Sequence, residues 1–425
     1  MQPNKDNMKK LFFLAVIAAI AAPAQAQIDF DSLGITAAEL KQAAAADVTP
    51  IKPEKVKLKL GLVSKPQRDE YVTRAAMFRP EGELRAAAIN FKAGPYEKMK
   101  YQPEQLVTCN YVPMKEAYEG GKPNGMTRKF KCRGADGKDF KVKYGEDNGE
   151  LMTETAASWI FTGIGVYADR MYPVRVNCPD CPSDPFKSER DPGAWKQGQI
   201  AVIEDKLGER IEYEANSGIG FDDFHLIQNR VEAEALTGLA MFFGNSDNKA
   251  ENQAVGCEKK DLALAGDQTV CRKPVVYLQD MGIAFGGRGI YHNKRMHYDK
   301  WRKEKVWDNA EACIMRLNRT HTSSLRDVDK SGRDMHQIGE AARQLMLSRL
   351  SLLSREQLVD IFNAARSPLR EPQHSASDWA DLFLARVDKL RRPLGDRTPA
   401  GFKCPFEVVP ANSYVAPPDP FNQYN

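Results

Sequence analysis

The segment Asp247-Asn248-Lys249-Ala250-Glu251-Asn252 places three side chains that can work together on one short loop. The aspartate can orient an attacking hydroxyl, the lysine can neutralise charge on a transferred group, and the asparagine oxygen can hold a divalent metal. Asp280-Met281-Gly282 follows at the end of a separate strand, where a second aspartate can bridge that metal to nucleotide phosphates. Phosphoryl transfer asks little covalent work of a protein. It needs phosphates held still, metal charge placed on them and an acceptor hydroxyl in line. Lys143 ends the alternating strand Phe140-Lys141-Val142-Lys143, from which it can reach phosphate oxygens in a cleft. Glu154, near the start of the next helix, can pair with that lysine and fix its position. Glu150 lies one turn earlier on the same face, and the sequence does not choose between the two acids. The expected cofactors are ATP and Mg²⁺ or Mn²⁺. Asp247 and Lys249 form the catalytic pair, Asn252 and Asp280 the metal ligands, and Lys143 with Glu154 the nucleotide contacts.

The elements that must position these groups can be read in order. Thr127 to Arg133 suits a strand, Gly134 to Gly137 a turn, and Lys138 to Tyr144 the returning strand. A helix is expected from Glu150 to Phe161, followed by strands over Pro173–Asn177 and Ile200–Glu204. From Phe221 the pattern turns helical. Leu226, Ile227, Val231, Ala235, Leu239 and Phe242 recur at helical intervals, and the helix meets Gly244 just before the Asp247 loop. Pro274–Leu278 is an apolar, β-branched strand that delivers Asp280. Late helices are expected over Gly339–Leu353, Glu356–Ala365 and Trp379–Leu390. Each piece has an ordinary structural explanation as well: aspartate and asparagine cap helices and turns, and acids favour helix starts. The order of the pieces carries more than any one of them.

That order, over residues 131–287, resembles the protein-kinase-like fold, with D-x-K-x-x-N as catalytic loop and D-x-G as metal-binding turn. It is most similar to the atypical members: HipA-like kinases, phosphoinositide kinases and secretory-pathway kinases. Tyr277-Leu278-Gln279-Asp280-Met281-Gly282-Ile283-Ala284-Phe285-Gly286 resembles their metal-binding strand, and the stretch from Phe140 to Val176 resembles exported bacterial proteins of this kind. The resemblance implies a two-lobed α+β fold with a strand-rich N-lobe and a helical C-lobe. It implies an ATP-dependent phosphotransferase, with a hydroxyl of a protein, glycan or small molecule as acceptor. The chain also departs from the pattern. No G-x-G-x-x-G precedes Lys143, so residues 118–128 with Gly120, Gly121 and Gly125 stand as a looser phosphate cover. Ser246 precedes Asp247, no H-R-D motif is present, and no clear A-P-E segment follows. A pseudokinase serving as an envelope binding module, and a nucleotidyl transferase on the same fold, are the competing readings.

Lys9 and Lys10 before the apolar run Leu11–Ala22, then Pro23-Ala24-Gln25-Ala26, read as a signal peptide cleaved after Ala26. The expected organisation is a signal peptide over 1–26, an N-terminal arm over 27–105 with a short helix at 37–46, an N-lobe over 106–204, a C-lobe over 205–409 and an extended tail over 410–425. Cleavage removes three lysines and one aspartate, lowering the formal charge from +4 to +2, a balance that offers nothing to nucleic acid. No other apolar run reaches transmembrane length, so no anchor is expected in the mature chain and its location is periplasmic or secreted. ATP is scarce outside the bacterial inner membrane. An exported enzyme of this kind acts where ATP exists, uses another donor, or has lost catalysis.

The eight cysteines favour disulfides in an exported chain, although eight cysteines allow 105 connectivities. The expected pairs are Cys109–Cys132, Cys178–Cys181, Cys257–Cys271 across a hairpin, and Cys313–Cys404 tying down the C-terminal region. Cys178-Pro179-Asp180-Cys181 has the spacing of a redox or zinc motif, but its prolines suit a loop disulfide. Lys294, Arg295, Lys300, Arg302 and Lys303 interleave with Tyr291, Tyr298 and Trp301. This segment either grips an acidic substrate or forms a solvated helix face balanced by Asp299 and Glu304. Asn318-Arg319-Thr320 is a glycosylation sequon in a eukaryotic source only.

Overall fold

The computed structural model describes residues 58–407 except 122, 124, 188–192, 215–217, 266, 288–294 and 318–333. The leader, the 37–46 helix, the 410–425 tail, the sequon and Tyr291, His292 and Lys294 lie outside the described residues. Leu106–Thr108 (β1), Asn110–Val112 (β2), Lys129–Arg133 (β3), Asp139–Tyr144 (β4), Arg170–Asn177 (β5) and Gln199–Asp205 (β6) form a six-stranded sheet. Its order is β1-β5-β6-β4-β3-β2. Alternation along each strand divides its residues between two faces. One face buries Phe130, Val142, Tyr144, Tyr172, Val174 and Ile203 in an aromatic core with Trp195. The other carries Lys143, with Met171 and Val202 packed on Leu151 of the neighbouring helix.

Before that helix come Lys65–Thr73 (α1) and Met114–Ala117 (α2). Past α1, Ala76 pairs with Val275, its N–H donating to Pro274 O at 3.0 Å. The central helix is Gly149–Ile164 (α3). Asn148 caps its start by accepting from the Glu150 N–H, and Gly165 ends it in the left-handed region at φ 78°. All but one of its residues are buried, including Glu150 and Glu154. Buried acids demand partners, and the sheet face opposite supplies them.

The second half is mainly helical: Arg230–Phe243 (α4), Tyr298–Lys303 (α5), Glu340–Leu350 (α6), Arg355–Ala364 (α7), Ser367–Arg370 (α8) and Ala376–Arg391 (α9). The helix expected from Phe221 is interrupted. A 3₁₀ turn spans Phe221–Leu226, Ile227 is extended, and α4 starts afresh where the Asn229 side chain accepts from the Glu232 N–H. Leu226 is consequently solvent-exposed and not part of a continuous buried face. Glu209–Arg210 (β7), Gln253–Cys257 (β8) and Pro274–Leu278 (β11) form a small sheet in the order β11-β8-β7. Leu262–Ala265 (β9) and Gln268–Cys271 (β10) make a hairpin between β8 and β11. Ile314–Leu317 (β12) pairs with Asp334–Gln337 (β13). All eight cysteines are joined in the expected pairs, Cys109–Cys132, Cys178–Cys181, Cys257–Cys271 and Cys313–Cys404. The molecule is thus a disulfide-bonded α+β protein with a strand-rich first half and a helical second half. Among the described residues no helix is long and apolar enough to cross a membrane.

Candidate functional site

Strand alternation sends Lys143 off the aromatic face of β4 toward the first two turns of α3. Its Nζ makes a short ion pair with Glu154 Oε1 and stands 3.8 Å from Glu150 Oε1. The open choice between the two acids therefore resolves as a direct pair with Glu154, with Glu150 in the next position. A third acid was not foreseen. Glu204, at the end of β6 beside β4, approaches Lys143 Nζ at 3.4 Å and also binds Lys141 and Lys206. Its signal in the sequence was a charged residue closing an apolar strand, Ile200 to Ile203, that is buried throughout.

Electrostatics follow from that packing. Burial pushes the Lys143 ammonium toward neutrality, but Glu154, Glu204, Asp280 and Glu150 outweigh it and hold its pKa well above the ordinary range. Burial raises the Glu154 carboxyl; Lys143 opposes this, Asp280, Glu150 and Glu204 add to it, and the net shift is well upward. Burial acts upward on Glu204 too, yet Lys141, Lys143 and Lys206 together hold it well below the usual carboxylate range. Of the cluster's acids it is thus Glu154 whose neutral form burial and its acidic neighbours favour.

Asp280 arrives at the end of β11. Its Oδ1 accepts from the Gly282 N–H at 2.9 Å, which closes a tight turn. A Cβ on Gly282 would lie 2.4 Å from Glu150 Cγ. The glycine of Asp-x-Gly is therefore required by close approach, because Glu150 fills the space a side chain would take. Oxygens of Glu150, Glu154 and Asp280 lie within 4.8 Å of one another.

The Asp247 loop is attached to this cluster through main chain. Helix α4 stops at Gly244 in the left-handed region, φ 69°. Ser246 N–H donates to Ile283 O at 3.2 Å, and Asn248 Nδ2 donates to Asn245 O at 2.8 Å. Asn252 Nδ2 donates across the loop to Asp247 O at 2.5 Å, and Asn252 O accepts from the Gln279 N–H at 2.9 Å. Asn252 and Asp280 are thereby held on adjacent strand ends. Asp247 is half-buried and Lys249 is exposed.

A divalent metal suits the donor set. Three carboxylates with mutually close oxygens are hard oxygen ligands of the kind magnesium and manganese take, and the amide oxygen of Asn252, on the adjacent strand end, is of the same kind. The asparagine nitrogen is already engaged, which leaves its oxygen for such a role.

Gly120, Gly121 and Gly125 take positive φ, and the Thr127 hydroxyl makes a short hydrogen bond to Glu150 Oε1. Neither Thr127 nor Lys129, which lies below Gly125, was singled out from sequence. The basic segment divides. Arg295 is buried with Nη2 3.8 Å from Glu150 Oε2, Trp301 joins the core, and Arg302 pairs with Asp299 in solvent. His297 pairs with Glu371 at 2.6 Å, apart from any metal group.

A cavity of about 1170 Å³ lies elsewhere, lined by Arg79, Arg85, Tyr96, Arg170, Leu207 and Glu258 among others. It touches none of Lys143, Glu154 or Asp280. Chemistry assigns the site to the smaller cluster, because shifted acids and a shifted lysine converge there.

No family model matches this sequence, and no curated protein matches it. The structure is similar to the crystal structure of a Helicobacter pylori proinflammatory kinase, CtkA, at 11% identity and a TM-score of 0.33, covering 68% of this chain and 94% of that one. A likeness at that score supports no argument about function.

Proposed function

We propose that this chain is an exported, kinase-like phosphotransferase that moves a phosphoryl group from ATP to a hydroxyl of a protein, glycan or small molecule. One observation carries the reading: Lys143, Glu154 and Asp280 share a buried cluster that main-chain hydrogen bonds tie to the Asp247–Asn252 loop. Lys143, fixed by Glu154 and Glu204, holds phosphate oxygens. Asp280 and Asn252 hold Mg²⁺ or Mn²⁺, which when bound neutralises charge on those oxygens. Asp247 aligns the acceptor hydroxyl, and exposed Lys249 meets the charge of the transferred group. Export is supported by the Lys9–Ala26 pattern and by the pairing of all eight cysteines. The test is a thermal melt with ATP and Mg²⁺ or Mn²⁺, followed by mass analysis of acceptors. Stabilisation that vanishes in Asp280→Ala, with added phosphate on an acceptor, is the expected result; added nucleotide would reassign the enzyme to nucleotidyl transfer.

A pseudokinase acting as a binding module is favoured by a different observation. Lys143 and Glu154 retain only 3% and 1% side-chain exposure, so the pair is shut away from solvent. Absence of any melting shift at millimolar nucleotide and metal would select that reading.

A further inference from the structure

Arg295 is 6% exposed, and its guanidinium faces the acidic cluster through Nη2, 3.8 Å from Glu150 Oε2. Its Nε and Nη1 donate to nothing among the described residues. Arg366, of similar burial, spends Nε, Nη1 and Nη2 on Glu104, Ala201 O and Val174 O. An arginine cannot shed its proton, so these donors can take an anion without any change of protonation. In the same cluster Glu154 Oε2 is buried and accepts from nothing among the described residues. Lys129 completes the pattern. It makes no ion pair among the described residues, its Nζ lies 3.3 Å from where a Gly125 Cβ would stand, and it feels Glu150 and Asp280.

Donors lacking acceptors on one side and a carboxylate oxygen lacking a partner on the other cannot be satisfied by one simple ion. A cation bound to phosphate satisfies both. We infer that Arg295 and Lys129 bind the phosphate oxygens of a metal-bound polyphosphate whose cation sits on Glu150, Glu154 and Asp280. The inference rests on the phosphotransferase reading and adds two phosphate-binding residues to it, with Glu154 keeping Oε1 on Lys143 and giving Oε2 to the cation beside Asp280. Glu150 changes role as well, from runner-up partner of Lys143 to metal ligand.

Inorganic tripolyphosphate with Mg²⁺ is the probe, titrated calorimetrically into the full chain beside ATP with Mg²⁺. Wild type is expected to bind both. Arg295→Gln weakens both by roughly tenfold, as expected for loss of a charge-assisted fork, and Lys129→Gln weakens both by roughly threefold. Without ligand, Arg295→Gln melts lower than wild type, because Glu150 loses its 3.8 Å partner among other acids, so affinities are compared where both proteins are folded. Nucleotide binding of equal strength in wild type and Arg295→Gln overturns the assignment, while leaving the phosphotransferase reading intact. Tripolyphosphate binding through Arg295 with no transfer from ATP upholds the phosphate site and removes the enzyme. Wild type that binds neither probe ends the inference.

Discussion

Two buried cations of this protein, Lys143 and Arg386, are held in opposite ways. Arg386 is 1% exposed between the rings of Phe242 and Trp301, and it donates to three main-chain carbonyls: Trp301 O and Glu304 O at 2.8 Å, and Phe242 O at 2.9 Å. Burial dominates there, lowering its pKa to about 10. Neutral dipoles take its Nη1 and Nη2, its Nε finds no acceptor among the described residues, and it ties α4, α5 and α9 into one core. Lys143 is instead ringed by carboxylates from three elements, and their combined charge overrides burial. Lys143 belongs to a group of acids in which burial first, and then Asp280, Glu150 and Glu204, raise the Glu154 carboxyl against the pull of Lys143. One cation is held by main-chain dipoles within the core, the other by carboxylates whose own protonation is perturbed.

The comparison can be broken in order of expected effect. Arg386→Met removes three hydrogen bonds to main-chain carbonyls and should cost about 4 kcal/mol in urea unfolding, while the folded fraction keeps any response to ATP and Mg²⁺. Gly282→Ala should cost about 2 kcal/mol through the clash with Glu150, and a second change, Glu150→Ala, should recover most of it. Lys143→Met should cost only about 1 kcal/mol, since Glu154 can take up a proton in its raised state, yet it should abolish the nucleotide-induced melting shift. If it proves as destabilising as Arg386→Met, the distinction between the two cations fails.

Glu204 gives the smallest and most specific effect. Its folded pKa lies well below the ordinary 4.5, so its contribution to stability is present above pH 4.5 and is lost as pH falls toward the folded value. Glu204→Gln should flatten the acid limb of a melting-temperature profile taken from pH 7 downward. An unchanged acid limb would show that Lys141, Lys143 and Lys206 do not hold this carboxylate ionised.

The β3–β4 hairpin, α3, β5, β6 and the late helices were legible because each has its own periodicity, turn residues or caps. Gly137 marks the hairpin turn, and Gly165 and Gly244 mark helix ends. The break at 227–229 was not legible. A hydrophobic 3.6-residue spacing continued through it, while Asn229 captured the N–H of Glu232 and restarted the helix. Within the site, Lys143, Glu154 and Asp280 could be named from pattern, since each sits at the end or start of a readable element. Glu204, Lys129 and the inward turn of Arg295 could not, because their roles come from neighbours distant in sequence.

By itself the sequence determined which local elements form, in what order, and which residue types lie at their ends, since these depend on neighbours a few positions away. Only the tertiary structure decided that Lys143 takes Glu154 as its direct partner, that Glu204 joins them, and that Gly282 makes room for Glu150. Those outcomes depend on how sheet and helix meet, where a shift of one residue along β4 or β6 would turn Lys143 or Glu204 to the opposite face.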